Sequence, residues 1–315
     1  MINQFSNLMS YITVEDFQRA INDQVSASIR ARITEAKLEY KVLAGAERDK
    51  YILSVLEALI GDNLAKSGEH RQDDWDKGWH ENLSLLVDTQ DLKTLIPKYH
   101  SKQKIVHWMQ DVVKTATSDF DFKIHEWLVD YVFEKYFSSC AYVYEFGCGP
   151  AYHLLRLRKI NPKAQLVGLD WAISSQDIIS NIKKMGLDTN IEGHNFNFFY
   201  PDYSICIPDG SGVYTVAALE QVGARFEPFL KYLLEKRPSI CVHLEPIDEL
   251  LDSKVLVDRL SQLYFRKRNY LTGFLTRLRQ LEAEGKLTIH RCQRTYTGSY
   301  FIEGHSMIVW SPNLD

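Results

Sequence analysis

The 315-residue chain can hold one large domain or two modest ones, and 45% hydrophobic with 25% charged residues is the composition of an ordinary globular protein. A formal net charge of −4 leaves no basic excess to recommend a nucleic-acid backbone as partner. No apolar run approaches the roughly 20 residues of a membrane span, and Met1–Phe17 lacks the basic region and long apolar stretch of a signal peptide.

In chain order, residues 1 to about 118 read as helical throughout. Thr13 with Asp16 predicts a capped helix over Val14–Tyr40, with Phe17, Ile21, Val25, Ile29 and Ile33 recurring every four residues. Helices follow over Glu47–Ala65 and Asp73–Leu95, the second carrying Trp75 and Trp79. Pro97 stops it, and a fourth helix is predicted over Ser101–Thr115 through Ile105, Trp108 and Val112. The tryptophan pair reads first as core and second as an aromatic face for an acceptor ring. Lys98-Tyr99-His100 reads as a loop that can also act as a lid segment. Phe120–Phe137 is a helix packed on the sheet that comes next.

Ala141–Asp170 organises the rest. It reads as a strand (Ala141–Phe146), a glycine turn, a helix (Ala151–Ile160) and a second strand (Gln165–Leu169) ending on Asp170, a β-α-β nucleotide-binding unit. Gly147 and Gly149 let the backbone turn sharply and come close to a ligand. Asp170 is placed to accept hydrogen bonds from ribose hydroxyls. Further strands are predicted near His194–Phe199, Gly212–Ala218 and Ile240–Leu244. Helices fall at Ser174–Met185 and Phe226–Lys236, with a helical insertion over Asp248–Glu284. Lys286–Tyr296 and Ser306–Trp310 close the chain as an antiparallel pair.

The turn lacks the third glycine of a dinucleotide site, since Tyr152 stands in its place. It reads Glu145-x-Gly147-x-Gly149-x-Ala151 and resembles motif I of the class I S-adenosylmethionine-dependent methyltransferases, with Ala151 for the third glycine and Asp170 as the motif II acid. The resemblance covers roughly residues 120–312. It implies a doubly wound α/β fold: a mostly parallel seven-stranded sheet with an antiparallel terminal strand, preceded by an N-terminal helical region. The corresponding domains are a helical lid or substrate region at 1–118 and a Rossmann-like domain at 119–315. It also implies S-adenosylmethionine as cofactor, held by Glu145, Gly147, Cys148, Gly149, Ala151 and Asp170. Trp171 against the adenine and Asn197 with Phe198 at its edge complete that side. Leu219-Glu220-Gln221-Val222 resembles motif IV, so Glu220 and Gln221 line the pocket under the methionine part, with Glu220 near the sulfonium or the acceptor.

Methyl transfer to a hydroxyl needs a base. The candidates are Glu245 and His243, which share one strand face at the carboxyl edge of the sheet, with Glu220 beside them; His305 and Tyr300 can reach over the same edge. Capping before Pro246 is the bland reading of Glu245, and a satisfied strand histidine that of His243. No Asn/Asp-Pro-Pro-Tyr follows the fourth strand, which disfavours amino-methylation of nucleic acids. Five scattered cysteines form no C-x-x-C pair, so no metal is expected and reduced thiols suggest a cytoplasmic protein. Arg266-Lys267-Arg268 reads as a solvated helix face. The abundant Tyr and Trp suit a small acceptor with rings or a saccharide, methylated on oxygen. An amine or peptide-like acceptor is the second reading, and a cofactor-binding partner protein without turnover the third. A homodimer is compatible with the sequence, which does not fix the oligomeric state.

Overall fold

The computed structural model describes residues 9–99 and 103–313. Its N-terminal region is mixed rather than all-helical. β1 (Ser10–Tyr11) leads to α1 (Val14–Ile21), whose start carries a reciprocal cap: Thr13 Oγ1 accepts from Asp16 N at 3.1 Å and Asp16 Oδ2 accepts from Thr13 N at 3.0 Å. The single helix expected from Val14 to Tyr40 is broken. Left-handed Asn22 ends α1, Ser26 caps α2 (Ala27–Ala36), left-handed Lys37 ends that helix, and the chain continues as β2 (Glu39–Val42). α3 (Gly45–Ile60) and α4 (Gln72–Thr89) follow.

The helix expected over Ser101–Thr115 is a β-hairpin, β3 (Ile105–Trp108) and β4 (Asp111–Thr115); Ser101, like His100, lies outside the described residues. Met109 and Gln110 form its two-residue turn, both left-handed at φ 52° and 65°, the geometry that matches strand twist. Valine and tryptophan fit a pleated surface, and spacing that suggested a helix stripe serves two short buried strands instead. The four strands form one antiparallel sheet in the order β1-β2-β4-β3.

The second sheet is built from α5 onward. α5 (Phe120–Val132) extends through a π-helical turn to Phe137. It is followed by β5 (Tyr142–Phe146), α6 (Tyr152–Ile160), β6 (Gln165–Asp170), α7 (Ile173–Lys184) and β7 (Ile191–Asn195). Then come β8 (Gly212–Val216), α8 (Glu227–Lys236), β9 (Ile240–Glu245), α9 (Leu256–Arg268), α10 (Phe274–Ala283), β10 (Leu287–Arg294) and β11 (Ser306–Pro312). The strand order is β10-β11-β9-β8-β5-β6-β7; β5 to β9 are mutually parallel, and β11 runs antiparallel to β9 and β10. This is the expected seven-stranded, doubly wound sheet. β7 ends four residues earlier than predicted, because Asn197 Oδ1 accepts from Phe199 N at 2.8 Å and turns the chain.

Alternation along the strands fills two cores. Val143, Leu166 and Val242 face α5, α6 and the N-terminal region, whereas Phe146, Leu169, Cys241 and Trp310 face α8 and α10. Each such large side chain contributes about 1.5–3 kcal/mol by leaving water. Going out from β5, the chain winds to one side through β6 and β7 and to the other through β8 and β9. The carboxyl edge between β5 and β8 is therefore where a crevice opens.

The N-terminal sheet is tied to the loop between β10 and β11. Met109 N donates to Tyr296 O at 3.0 Å and Gly298 N to His107 O at 3.0 Å, while Trp108 bridges Thr297. Buried His107 sits 2.6 Å from the Tyr51 hydroxyl and 3.1 Å from Glu303, and Arg294 grips the fully buried Asp258 with two 2.8 Å bonds. No helix among the described residues is long and apolar enough to cross a membrane.

Candidate active site

The turn after β5 is held by its own backbone: Gly147 N and Cys148 N donate to Leu169 O at 2.6 and 3.1 Å. Gly147, Gly149 and Ala151 are all left-handed, at φ 77°, 48° and 62°. A β-carbon on Gly147 would lie 2.3 Å from that of Ala218, and one on Gly149 would lie 2.9 Å from the Trp79 ring. Asp170 Oδ2 accepts from Gly149 N at 2.8 Å and Oδ1 from Ala172 N at 2.9 Å, so each oxygen keeps a lone pair for a ligand. Burial pushes Asp170 up to about 6, against the pull of those two N–H groups.

An open cavity lies over this turn. Asp170, Trp171, Phe196, Phe198, Cys148 and Gln221 line it, roofed by Trp75 and Trp79 of α4, whose rings stack at 5.5 Å. Its aromatic walls and the acid Asp170 suit a nucleoside. The glycine cradle, where a β-carbon would collide, and the remaining lone pairs of Asp170 have the chemistry to hold a ribose.

A second space of about 1210 Å³ adjoins the first and shares Trp75, Tyr99, His153, Val216, Ala217 and Gln221 with it. Its other walls come from α5 (Asp121, His125), α9 (Tyr264, Arg268), Tyr270 and the loop that bears His305. Burial raises Asp121 to about 6 and lowers His305 to about 4. Glu220 opens onto this second space and not the first; burial and the neighbouring Glu245 push it up to about 8, while Arg268, Gln221 and Tyr270 draw it back. Its Oε1 accepts from Gln221 Nε2 at 2.9 Å. The Tyr270 hydroxyl is near enough to act on it electrostatically, although no hydrogen bond of ordinary geometry reaches Oε2.

Several residues singled out in the sequence stand elsewhere. His243 and Glu245 do share a strand face, but that face is packed under α8 and α10. His243 is fully buried beside Phe274, Phe229 and Trp310, with Thr215 Oγ1 at 3.0 Å, and burial holds it down at about 3. Glu245 accepts from Ala218 N, Leu219 N and Glu220 N at 3.0–3.1 Å, fixing the loop under the first cavity without touching either space. Asn197 closes its turn while its neighbours Phe196 and Phe198 form the wall. Glu145 and Ala151 are buried behind the turn rather than in its lining. Tyr300 bonds Ser54 at 2.5 Å and lines neither space, whereas His305 lines the second. Arg268 is no solvated charge: its guanidinium lies 5.1 Å from the Tyr270 ring centre, inside the second space.

The sequence reading missed His153, His125, Asp121, Tyr264 and Tyr270. Only His153 left a local trace, as the second residue of the helix that leaves the glycine turn. The others meet through the fold alone.

No known protein family matches the chain, and no curated protein matches it by sequence. Among solved structures, an O-methyltransferase from neocarzinostatin biosynthesis, in complex with S-adenosylmethionine and 2-hydroxy-5-methyl naphthoic acid, is 14% identical. That likeness covers 76% of this chain and 70% of that one with a TM-score of 0.43. Mitomycin 7-O-methyltransferase is 14% identical over 76% of this chain and 68% of its own, at 0.43. The methyltransferase domain of a bacterial Hen1 protein is 19% identical over 60% of this chain and 99% of its own, at 0.46. The chain has a doubly wound α/β fold with a mostly parallel seven-stranded sheet. Its mostly parallel seven-stranded sheet with antiparallel β11 is the one the motif I resemblance implied.

Proposed function

We propose that this protein is an S-adenosylmethionine-dependent methyltransferase acting on a hydroxyl of a small, ring-bearing acceptor. The observation that carries the reading is the junction of two spaces, one over the glycine turn and Asp170, the other walled by imidazoles and tyrosines. Gly147, Gly149 and Asp170 would hold the nucleoside part, with Trp171 and Phe198 against its base. When bound, S-adenosylmethionine supplies a methyl on a sulfonium: the new O–C bond takes the methyl and the C–S electron pair stays on sulfur.

The chain's own contribution is alignment and proton removal. Tyr264, Tyr270 and Trp75 offer ring faces and edges to an aromatic or sugar acceptor. Arg268 offers a fixed guanidinium to an oxygen substituent. The acceptor's hydroxyl is brought to the shared wall, where the available base is an imidazole rather than the strand carboxylate Glu245.

The experiment is calorimetric titration of the full chain with S-adenosylmethionine and S-adenosylhomocysteine, beside Asp170→Ala. Micromolar binding lost in the variant supports the cofactor assignment, and methyl-label transfer to a panel of phenols, hydroxy acids and sugars then reads the acceptor. Binding without turnover on hydroxyl, amine or peptide-like acceptors would favour a cofactor-binding partner protein. Failure of either ligand to bind overturns the proposal.

A further inference from the structure

We infer that His153 is the base that takes the acceptor's proton, and that the motif acid Glu145 serves to orient it. The inference rests on the methyltransferase reading and names a residue that neither the motif nor the strand edge points to. Of the six described residues common to both spaces, His153 is the only imidazole and none is a carboxylate. A proton leaving the acceptor oxygen as the methyl arrives must be received at that shared wall.

Glu145 lies fully buried on β5. Its Oε2 accepts from the Tyr214 hydroxyl at 3.1 Å, and its Oε1 is 2.9 Å from His153 Nδ1. With Glu145 ionised, Nδ1–H donates to it and the lone pair is left on Nε2, on the side of His125. There Nε2 lies 3.4 Å from Nε2 of His125, whose N–H donates to it across a long contact that an incoming hydroxyl would replace. His305, 6.1 Å beyond the His125 ring, lines the second space only. The arrangement is that of a carboxylate–imidazole pair in which the carboxylate, which burial pushes up and His153 and Tyr214 draw back, fixes the ring through Nδ1.

The acceptor's O–H proton passes to His153 Nε2 while its oxygen takes the methyl, and Nδ1–H keeps its bond to Glu145. The imidazolium then releases its Nε2 proton to water in the second space, restoring the neutral ring.

The test needs no knowledge of the acceptor at its first stage. Long-range proton–nitrogen spectra of full-length protein labelled in histidine nitrogens, with His153 assigned by its loss in His153→Asn, report the tautomer directly. The Nδ1–H form with bare Nε2 is expected in the wild type. In Glu145→Gln, whose amide would donate to Nδ1, the ring should switch to the Nε2–H form. A wild-type Nε2–H ring overturns the inference, and that single spectrum decides even if the Glu145 variant does not fold. At the second stage His153→Asn should bind S-adenosylmethionine within a few-fold of wild type yet transfer methyl about 10²–10⁴ times more slowly to any acceptor found in the panel. Full rate in that variant also overturns it. A wild type that fails to bind S-adenosylmethionine sinks the methyltransferase reading instead, whatever tautomer the spectra show.

Discussion

Gly147 and Ala218 meet so closely that no β-carbon fits between the turn after β5 and the end of β8. The two strands are neighbours in the sheet, and their following loops form the floor of the first cavity. Gly147→Ala adds a left-handed alanine to a steric collision with Ala218. It should lower stability by about 2–4 kcal/mol and abolish S-adenosylmethionine binding, read by urea denaturation and calorimetry. Wild-type stability with intact binding would mean that the floor is softer than the contact suggests.

Glu245 holds three backbone N–H groups, so its removal should act on structure before chemistry. Glu245→Ala leaves buried donors unpaired and is expected to cost about 3–5 kcal/mol. Glu245→Gln keeps an acceptor oxygen and should retain most methyl transfer wherever it stays folded. Loss of rate without loss of stability in the glutamine variant would restore Glu245 as a base.

Among the carboxyls that burial holds above their ordinary values are Glu220 at about 8, Glu245 at about 7, and Asp121 and Asp170 at about 6. A carboxyl raised in the folded state binds more protons there than in the unfolded chain, so its contribution to stability is lost as pH rises. The ligand-free protein should therefore weaken from about pH 4.5 to 8. Glu220→Gln should flatten the upper part of that slope and gain on the order of 2 kcal/mol at pH 8. Urea midpoints at pH 5, 6, 7 and 8 measure it, and an unchanged slope in the variant contradicts the assignment.

Arg294 and Asp258 form a bidentate pair in which the acid has no exposure at all. Arg294→Met strands that carboxylate and should cost about 3–5 kcal/mol, whereas the double change Arg294→Met with Asp258→Leu should recover much of the loss. A double-mutant cycle by chemical denaturation separates the two results.

The fold was legible where chemistry and period coincided. Gly147, Gly149 and Asp170 announce a β-α-β unit, and alternation in β8, β9 and β11 leads to the sheet. The hairpin of β3 and β4 was not legible, because Ile105, Trp108 and Val112 satisfy helical spacing as well as strand burial. Its turn, moreover, is made by Met109 and Gln110 rather than glycine. Nor was the orientation of strand residues. His243 and Glu245 sit at the right edge, yet which sheet face meets a helix depends on α8 and α10, far from them in sequence. His125, His153 and His305 come from three separate elements, and nothing local links them.

The Trp108–Thr297 bridge and the His107–Gly298 hydrogen bond stitch the N-terminal hairpin to the loop that carries His305. The wall of the second space is accordingly not a detachable module. A chimera that exchanged only the leading residues for those of a relative would set a foreign hairpin against a native loop and spoil the pocket it meant to redesign. The two segments must be transplanted, and inherited, together.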